Sequence, residues 1–335
     1  MTRAGQCRTD ADPRLTGPPR RSALTTTRRG SLGCNEGAME FVVTLMSHPE
    51  GTEAWFAARQ SEGWHGVSIA DHLSAGTAGG VYPHVWATLG QWTALDSRML
   101  LATTFANNLV RSPVEFVHAS LTLQSISGGR FEAGLGAGWR AADLAGMPLP
   151  DGPVRARRYY EAMVIARDLL KDRQCSFHGE FYDVELTDQP LPAADPAPPL
   201  VAAVGGPWVI DNVAPLADRV EVLPRYRIAR PGAIDPAKFA EGRTDEIARL
   251  ARRARAANPT APLQVGVFLA AGTGAAVDSF AQMYAGGPLD GLAGEPGKVA
   301  DKLLSFNDLG INRVTLVEIV PGSYRQLAPL LMLIS

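Results

Sequence analysis

The chain has 335 residues, 46% hydrophobic and 20% charged, with a formal net charge of -2. Such a composition supports a large buried core and excludes a wholly disordered chain. The near-neutral charge gives no pull toward nucleic acid or an anionic membrane, which leaves a small molecule as the expected partner.

Three cysteines, Cys7, Cys34 and Cys175, form neither a paired framework nor a metal-binding spacing, so no metal site is expected. No apolar run approaches the roughly 18 residues that span a bilayer, and no secretory signal opens the chain. A soluble, cytoplasmic protein is the expectation. Residues 1–37 carry seven arginines against Asp10, Asp12 and Glu36, with almost no large apolar side chains. A segment of that kind cannot bury a core and reads as a disordered basic tail, or as the product of an early start with Met39 opening the domain. An Arg-rich targeting peptide is the alternative.

From residue 38 strands and helices alternate. Glu40 to Met46 reads as a strand, Glu53 to Gly63 as a helix, Gly66 to Ala70 as a strand and Val85 to Leu95 as a helix. Met99 to Phe105 is a third strand. Ser112-Pro113-Val114-Glu115 then opens a helix as a capping box with proline at its first position. Gly128-Gly129 closes that helix, Phe131 to Leu135 is a fourth strand, and Arg155 to Lys171 a helix with Tyr160, Met163, Val164 and Leu170 on one face. Cys175 to Glu185 reads as a hairpin and Pro190 to Pro199 as a loop. Strands follow at Leu200 to Val204, Arg219 to Leu223, Gln264 to Ala270 and Arg313 to Val317. Between them lie helices from about Trp208, at Pro236 to Ala256, at Ala275 to Tyr284 and at Pro296 to Leu309, and a last helix ends the chain.

Strand-helix alternation demands parallel strands with helices outside. Eight such units match a closed (β/α)8 TIM barrel, with a hairpin and loop inserted after the fourth helix. A doubly wound sheet would need a nucleotide loop after its first strand, where only Ser47-His48-Pro49-Glu50-Gly51 stands.

In a barrel the chemistry gathers where strands end. After the second strand comes Asp71-His72, a carboxylate beside the side chain best suited to exchange protons near neutrality. Such a pair can simply cap a loop, but its place at a strand end favours His72 as acid or base. After the third come Thr104, Phe105, Asn107 and Asn108, polar groups that either face a ligand or serve a turn. After the fourth comes Gly134-Leu135-Gly136-Ala137-Gly138-Trp139, whose glycines let backbone approach a ligand. A Rossmann match there is weak, because no long helix follows and the acidic residue about 20 positions on, Glu161, lies within a helix. After the fifth comes Val204-Gly205-Gly206-Pro207, either a phosphate-binding helix start or a flexible turn. No nucleophile elbow, metal helix or Walker loop occurs.

Taken in order, Ile69-Ala70-Asp71-His72, Arg111-Ser112-Pro113, Ser125 to Phe131 running into Gly134 to Trp139, Arg157 to Glu161, Phe177 to Tyr182 and Ala202 to Gly206 resemble the luciferase-like monooxygenase superfamily from Met39 onward. The resemblance implies a TIM barrel, a homodimer and a reduced flavin or deazaflavin at the mouth. The Ala-Asp-His form is more similar to members using F420 than to those using FMN. It further implies Asp71 and His72 near the ring, a non-proline cis peptide at Thr104-Phe105 behind it, and cofactor contacts from Asn107, Gly136, Ala137, Gly138, Ala203, Gly205 and Gly206. Trp139 stands where related sugar-phosphate dehydrogenases carry a catalytic glutamate, which argues against that activity. The expected function is hydride transfer between F420 and a small organic substrate, with His72 catalytic. An FMN-dependent monooxygenase and a non-catalytic flavin-binding relative are the alternatives. The substrate pocket is expected from Ser74 to Pro83, Ala141 to Val154 and Gly272 to Gly294.

Overall fold

A computed structural model of the chain describes residues 39–46, 51–73, 81–95, 98–224 and 238–332. The expected tail at 1–37 and most of the expected pocket loop at 74–83 lie outside them. The chain runs through β1 (Glu40–Leu45), α1 (Thr52–Ser61), β2 (Gly66–Ile69), α2 (Val85–Thr93), β3 (Leu100–Thr103), β4 (Ala106–Asn107), α3 (Pro113–Ile126) and β5 (Phe131–Gly136). It continues through α4 (Gly152–Asp172), β6 (Cys175–His178), β7 (Asp183–Leu186), β8 (Leu200–Val204), α5 (Pro207–Val213), β9 (Arg219–Val222) and α6 (Glu246–Ala257). Last come β10 (Leu263–Ala271), α7 (Ala275–Tyr284), β11 (Ala293–Gly294), α8 (Pro296–Leu304), β12 (Ile311–Glu318) and α9 (Ser323–Leu331).

Strands β1, β2, β3, β5, β8, β9, β10 and β12 pair in that order, all parallel, and β12 pairs back onto β1. The result is a closed eight-stranded (β/α)8 barrel. An antiparallel hairpin, β6 with β7, stands apart from it after α4.

Alternation along the strands divides two environments. Phe41, Val43 and Leu45 of β1 and Leu263, Val265 and Val267 of β10 join Trp55, Trp92 and Phe116 in the core between barrel and helices. The inward residues are partly polar. Arg313 of β12 donates to Glu132 at 2.6 Å and lies 2.7 Å from Glu40, while Glu221 accepts from Gln264 at 2.6 Å and from Thr315 at 2.7 Å. Except for Thr315, these residues fall among the first three of their strands, at the end away from the mouth, where such a network serves stability. Burial pushes the Glu40 carboxyl up, but the Arg313 guanidinium outweighs it and holds the group below the ordinary carboxylate value.

Three expectations need correction. The helix expected from Pro236 begins at Glu246, because the segment before it turns through Gly242 at φ 127°, which only glycine adopts freely. On α4 the buried face runs through Tyr159, Ala162, Met163, Ala166 and Leu170, whereas Tyr160 is exposed and Val164 half-buried. The capping box is half formed. Ser112 accepts from the Glu115 N–H at 3.1 Å, but the Glu115 carboxylate turns to the Trp86 indole instead of back to Ser112. Among the described residues no helix is long and apolar enough to cross a membrane.

Candidate active site

Strands β2, β3, β5 and β8 are neighbours in the barrel, and their C-terminal ends carry all the residues singled out above. Asp71 and His72 follow β2, Thr104 and Phe105 follow β3, Asn107 lies in β4, Gly136 ends β5 with Ala137 and Gly138 after it, and Ala203 lies in β8 with Gly205 and Gly206 after it. One arc of the mouth therefore holds them. The Thr104-Phe105 peptide bond is cis.

Asp71 is buried and engaged by three donors. Its Oδ2 accepts from the Asn107 N–H at 3.0 Å and from Arg111 Nε at 3.0 Å, and its Oδ1 accepts from Arg111 Nη2 at 2.9 Å. The carboxylate thus ties the end of β2 to the turn after β4, and its contribution to the site is to hold these two loops together. His72 points elsewhere. Its Nδ1 lies 2.8 Å from Asp143 Oδ2, and its ring meets the edges of Tyr82 and Trp139, with centroids 4.9 and 5.8 Å apart. Arg140 stacks over Tyr82 and Trp139 at 5.4 and 5.9 Å and reaches Asp143 at 3.5 Å. Burial raises the Asp143 carboxyl, yet the hydrogen bond and charge of His72, then Arg140, bring it below the ordinary value. Burial likewise raises the Tyr82 phenol.

The glycine run serves the protein's own packing. A Cβ on Gly134 would stand 2.8 Å from the Phe105 ring, and one on Gly136 3.0 Å from Phe105 Cβ. Gly138 has φ 73°, and a Cβ there would collide with Asn107 Oδ1 and stand 2.6 Å from Leu109 Cγ. These positions are small so that the cis turn after β3 can lie against β5. The Ala203 N–H is also taken, donating to the Tyr159 hydroxyl at 3.0 Å. Gly206 precedes α5 with no side-chain cap on the first turn.

Sequence reading placed Tyr82 and Asp143 only within loops expected to line the pocket, did not single out Arg140, and gave no partner for Glu161. The Glu161 carboxylate accepts the N–H groups of Glu180, Phe181 and Tyr182 at 2.7, 2.9 and 3.1 Å, clamping the hairpin tip onto α4. Tyr182 in turn donates to Asn108 Oδ1 at 2.8 Å and accepts from Arg158 Nε at 3.0 Å, linking the hairpin to the mouth. A usable signal was the pairing of a mid-helix glutamate with the following His178-Gly179-Glu180 turn.

Comparison with known proteins agrees with this architecture. A family model described as luciferase-like monooxygenase matches residues 35–307. An F420-dependent glucose-6-phosphate dehydrogenase of Beutenbergia cavernae is 29% identical over 165 residues, 48% of this chain and 48% of its own length. The chain thus spans about half the length of the curated relatives it matches. Among solved structures, an F420-dependent secondary alcohol dehydrogenase in complex with an F420-acetone adduct superposes with TM-score 0.68 at 16% identity, covering 87% of this chain and 98% of that one. A riboflavin lyase with modified FMN superposes with TM-score 0.61 at 13% identity, covering 88% and 91%. With eight parallel strands closed into a barrel and the family match running over most of its length, the chain belongs to the luciferase-like monooxygenase family of oxidoreductases.

Proposed function

We propose that this protein is an F420-dependent oxidoreductase that transfers a hydride between the deazaflavin and a small organic substrate, with His72 as its acid or base. One observation carries this: His72 stands just past the C-terminal end of β2 with its Nδ1 held 2.8 Å from a buried carboxylate, which orients the imidazole. A half-buried imidazole of that kind can give or take one proton at Nε2.

The kinds of residue at the mouth support this reading. Thr104 and Phe105 at the cis turn are half-buried beside the mouth, where they would lie against a ring. In this reading Asp71, Asn107 and Gly136 to Gly138 act indirectly, by holding the cis turn and the loop after β4 in place. Ala203 contributes through atoms other than its N–H, which Tyr159 holds. When bound, F420 supplies a ring carbon able to accept or donate a hydride, and the protein supplies position and electrostatics. The F420-dependent relative and structural neighbour support this choice.

An FMN-dependent monooxygenase is the second reading, favoured by the likeness to the FMN-containing lyase. Fluorescence titration of the purified protein with F420 and with FMN tests the choice. Tighter F420 binding is expected, and tighter FMN binding with oxygen uptake would overturn it. The proposal includes a homodimer, to be checked by sedimentation at twice the 35.7 kDa chain mass.

A further inference from the structure

We infer that Asp143 is the positioning residue of the site: it fixes His72 in the tautomer whose proton sits on Nδ1, leaving the Nε2 lone pair for the substrate. This rests on the role proposed for His72 above. The side chain of Asp143 is 0% exposed, and its two oxygens have different duties. Oδ1 accepts the Leu73 N–H at 3.1 Å and faces Arg140 Nη1 at 3.5 Å, so it must be an acceptor. Oδ2 lies 2.8 Å from His72 Nδ1. An ionised carboxylate has no proton to offer, so Nδ1 must be the donor. Burial acts against the charge on Asp143, but the hydrogen bond and charge of His72, the charge of Arg140 and the Leu73 N–H together outweigh it and favour the ionised carboxyl.

The local backbone is shaped for this contact. Asp143 lies in a single 3-10 turn, Ala141–Leu144, closed by Ala145 at φ 49°, a left-handed conformation rare for a residue with a Cβ. That turn brings Asp143 back over the end of β2, 71 positions earlier. Trp139 and Tyr82 wall the imidazole on its edges, and Arg140 lies across both rings, so the histidine is held in position as well as in tautomer.

The consequence for chemistry is directional. Were bound F420 to supply the hydride acceptor for a carbon bearing an O–H or N–H, Nε2 would be the group placed to take the proton from that oxygen or nitrogen. The imidazolium formed is stabilised by Asp143, which does not itself take the proton. In the reverse direction Nε2–H returns it.

Asp143→Asn separates this role from a merely structural one. The amide oxygen must remain at the Oδ1 position to meet the Leu73 N–H, so the amide NH2 faces His72 Nδ1 and forces the proton onto Nε2. In cofactor-free protein labelled with 15N-histidine, observed at pH 9, His72 should be the Nδ1–H tautomer. Its resonances are assigned by their loss in His72→Gln. In Asp143→Asn the Nε2–H tautomer should replace it, and turnover should fall about 100-fold or more with KM little changed. An Nε2–H tautomer in the unmodified protein would overturn the inference even if the variant failed to fold, as would an unchanged tautomer in a folded variant. The expected tautomers without F420 binding would instead sink the cofactor assignment alone.

Discussion

Replacing Asp71 by asparagine tests how the mouth is held together. Three donors converge on the two oxygens of Asp71, which is 3% exposed, and the Arg111 side chain is 14% exposed. Asparagine keeps one oxygen and places an NH2 where the other oxygen was, so a donor then faces either Arg111 Nη2 or both Arg111 Nε and the Asn107 N–H. Breaking a buried ion pair by removing one partner costs about 3–5 kcal/mol, and the partial exposure of Arg111 argues for the lower end, about 3 kcal/mol. Urea unfolding of Asp71→Asn, Arg111→Met and the double variant should give a coupling of about 2 kcal/mol between the two sites. A coupling below about 0.5 kcal/mol, the range of an exposed pair, would refute the claim that this ion pair ties β2 to the turn after β4.

Gly138→Ala should destabilise by about 2–4 kcal/mol, combining a left-handed backbone with the collision against Asn107 and Leu109, and calorimetry would show it. Glu161→Ala should free the hairpin tip from α4 and open the 175–186 segment to proteolysis at least 10-fold faster, with the barrel otherwise intact. Since Glu40 and Asp143 are held below the ordinary carboxylate value, their stabilisation is complete above about pH 4.5 and is lost as pH falls through their lowered values. Arg313→Met should remove the Glu40 share of that acid sensitivity, read as a flatter dependence of the urea midpoint below about pH 4.5.

The barrel was legible because each strand is a short apolar run and each helix has its own start or stop signal, as at Ser112-Pro113 and Gly128-Gly129. What escaped depended on partners far along the chain. The Arg- and Ala-rich composition begins only at Glu246, and residues 236–245 carry one arginine, two alanines and Gly242, where a Cβ would stand 2.8 Å from Pro288, a contact no local pattern reveals. Tyr159 and Tyr160 are adjacent and chemically identical, so the phase of α4 turns on which hydroxyl finds a backbone partner. The site shows the same limit. Asp71 and His72 read as one acidic-basic pair, but Asp71 turns to Arg111, 40 positions later, and His72 to Asp143, 71 positions later. The glycine run was visible as a close approach of backbone, and only the fold shows that its nearest partners are Phe105 and Asn107.

Two buried tyrosines suggest why the barrel wall parts toward the mouth. Tyr159 of α4 inserts its hydroxyl between β5 and β8, donating to the Leu135 carbonyl at 2.6 Å and accepting from the Ala203 N–H at 3.0 Å. Tyr324 of α9 does the same between β12 and β1, accepting from the Thr44 and Glu318 N–H groups at 3.2 and 2.9 Å with the Leu316 carbonyl at 2.7 Å. The helices concerned follow the fourth and eighth barrel strands, so the two insertions lie on opposite sides of the ring. Burial raises both phenols far above their ordinary value, so each stays a neutral donor and acceptor. Phenylalanine at 159 would keep the ring that spreads the strands but leave a backbone N–H and carbonyl without partners, costing about 2 kcal/mol. At 324, where two N–H groups lose their acceptor, the loss should be about 3 kcal/mol. Hydrogen exchange should speed up at the Ala203 amide in Tyr159→Phe and at the Thr44 amide in Tyr324→Phe, and unchanged exchange at both would mean that the strands close on each other without the hydroxyls.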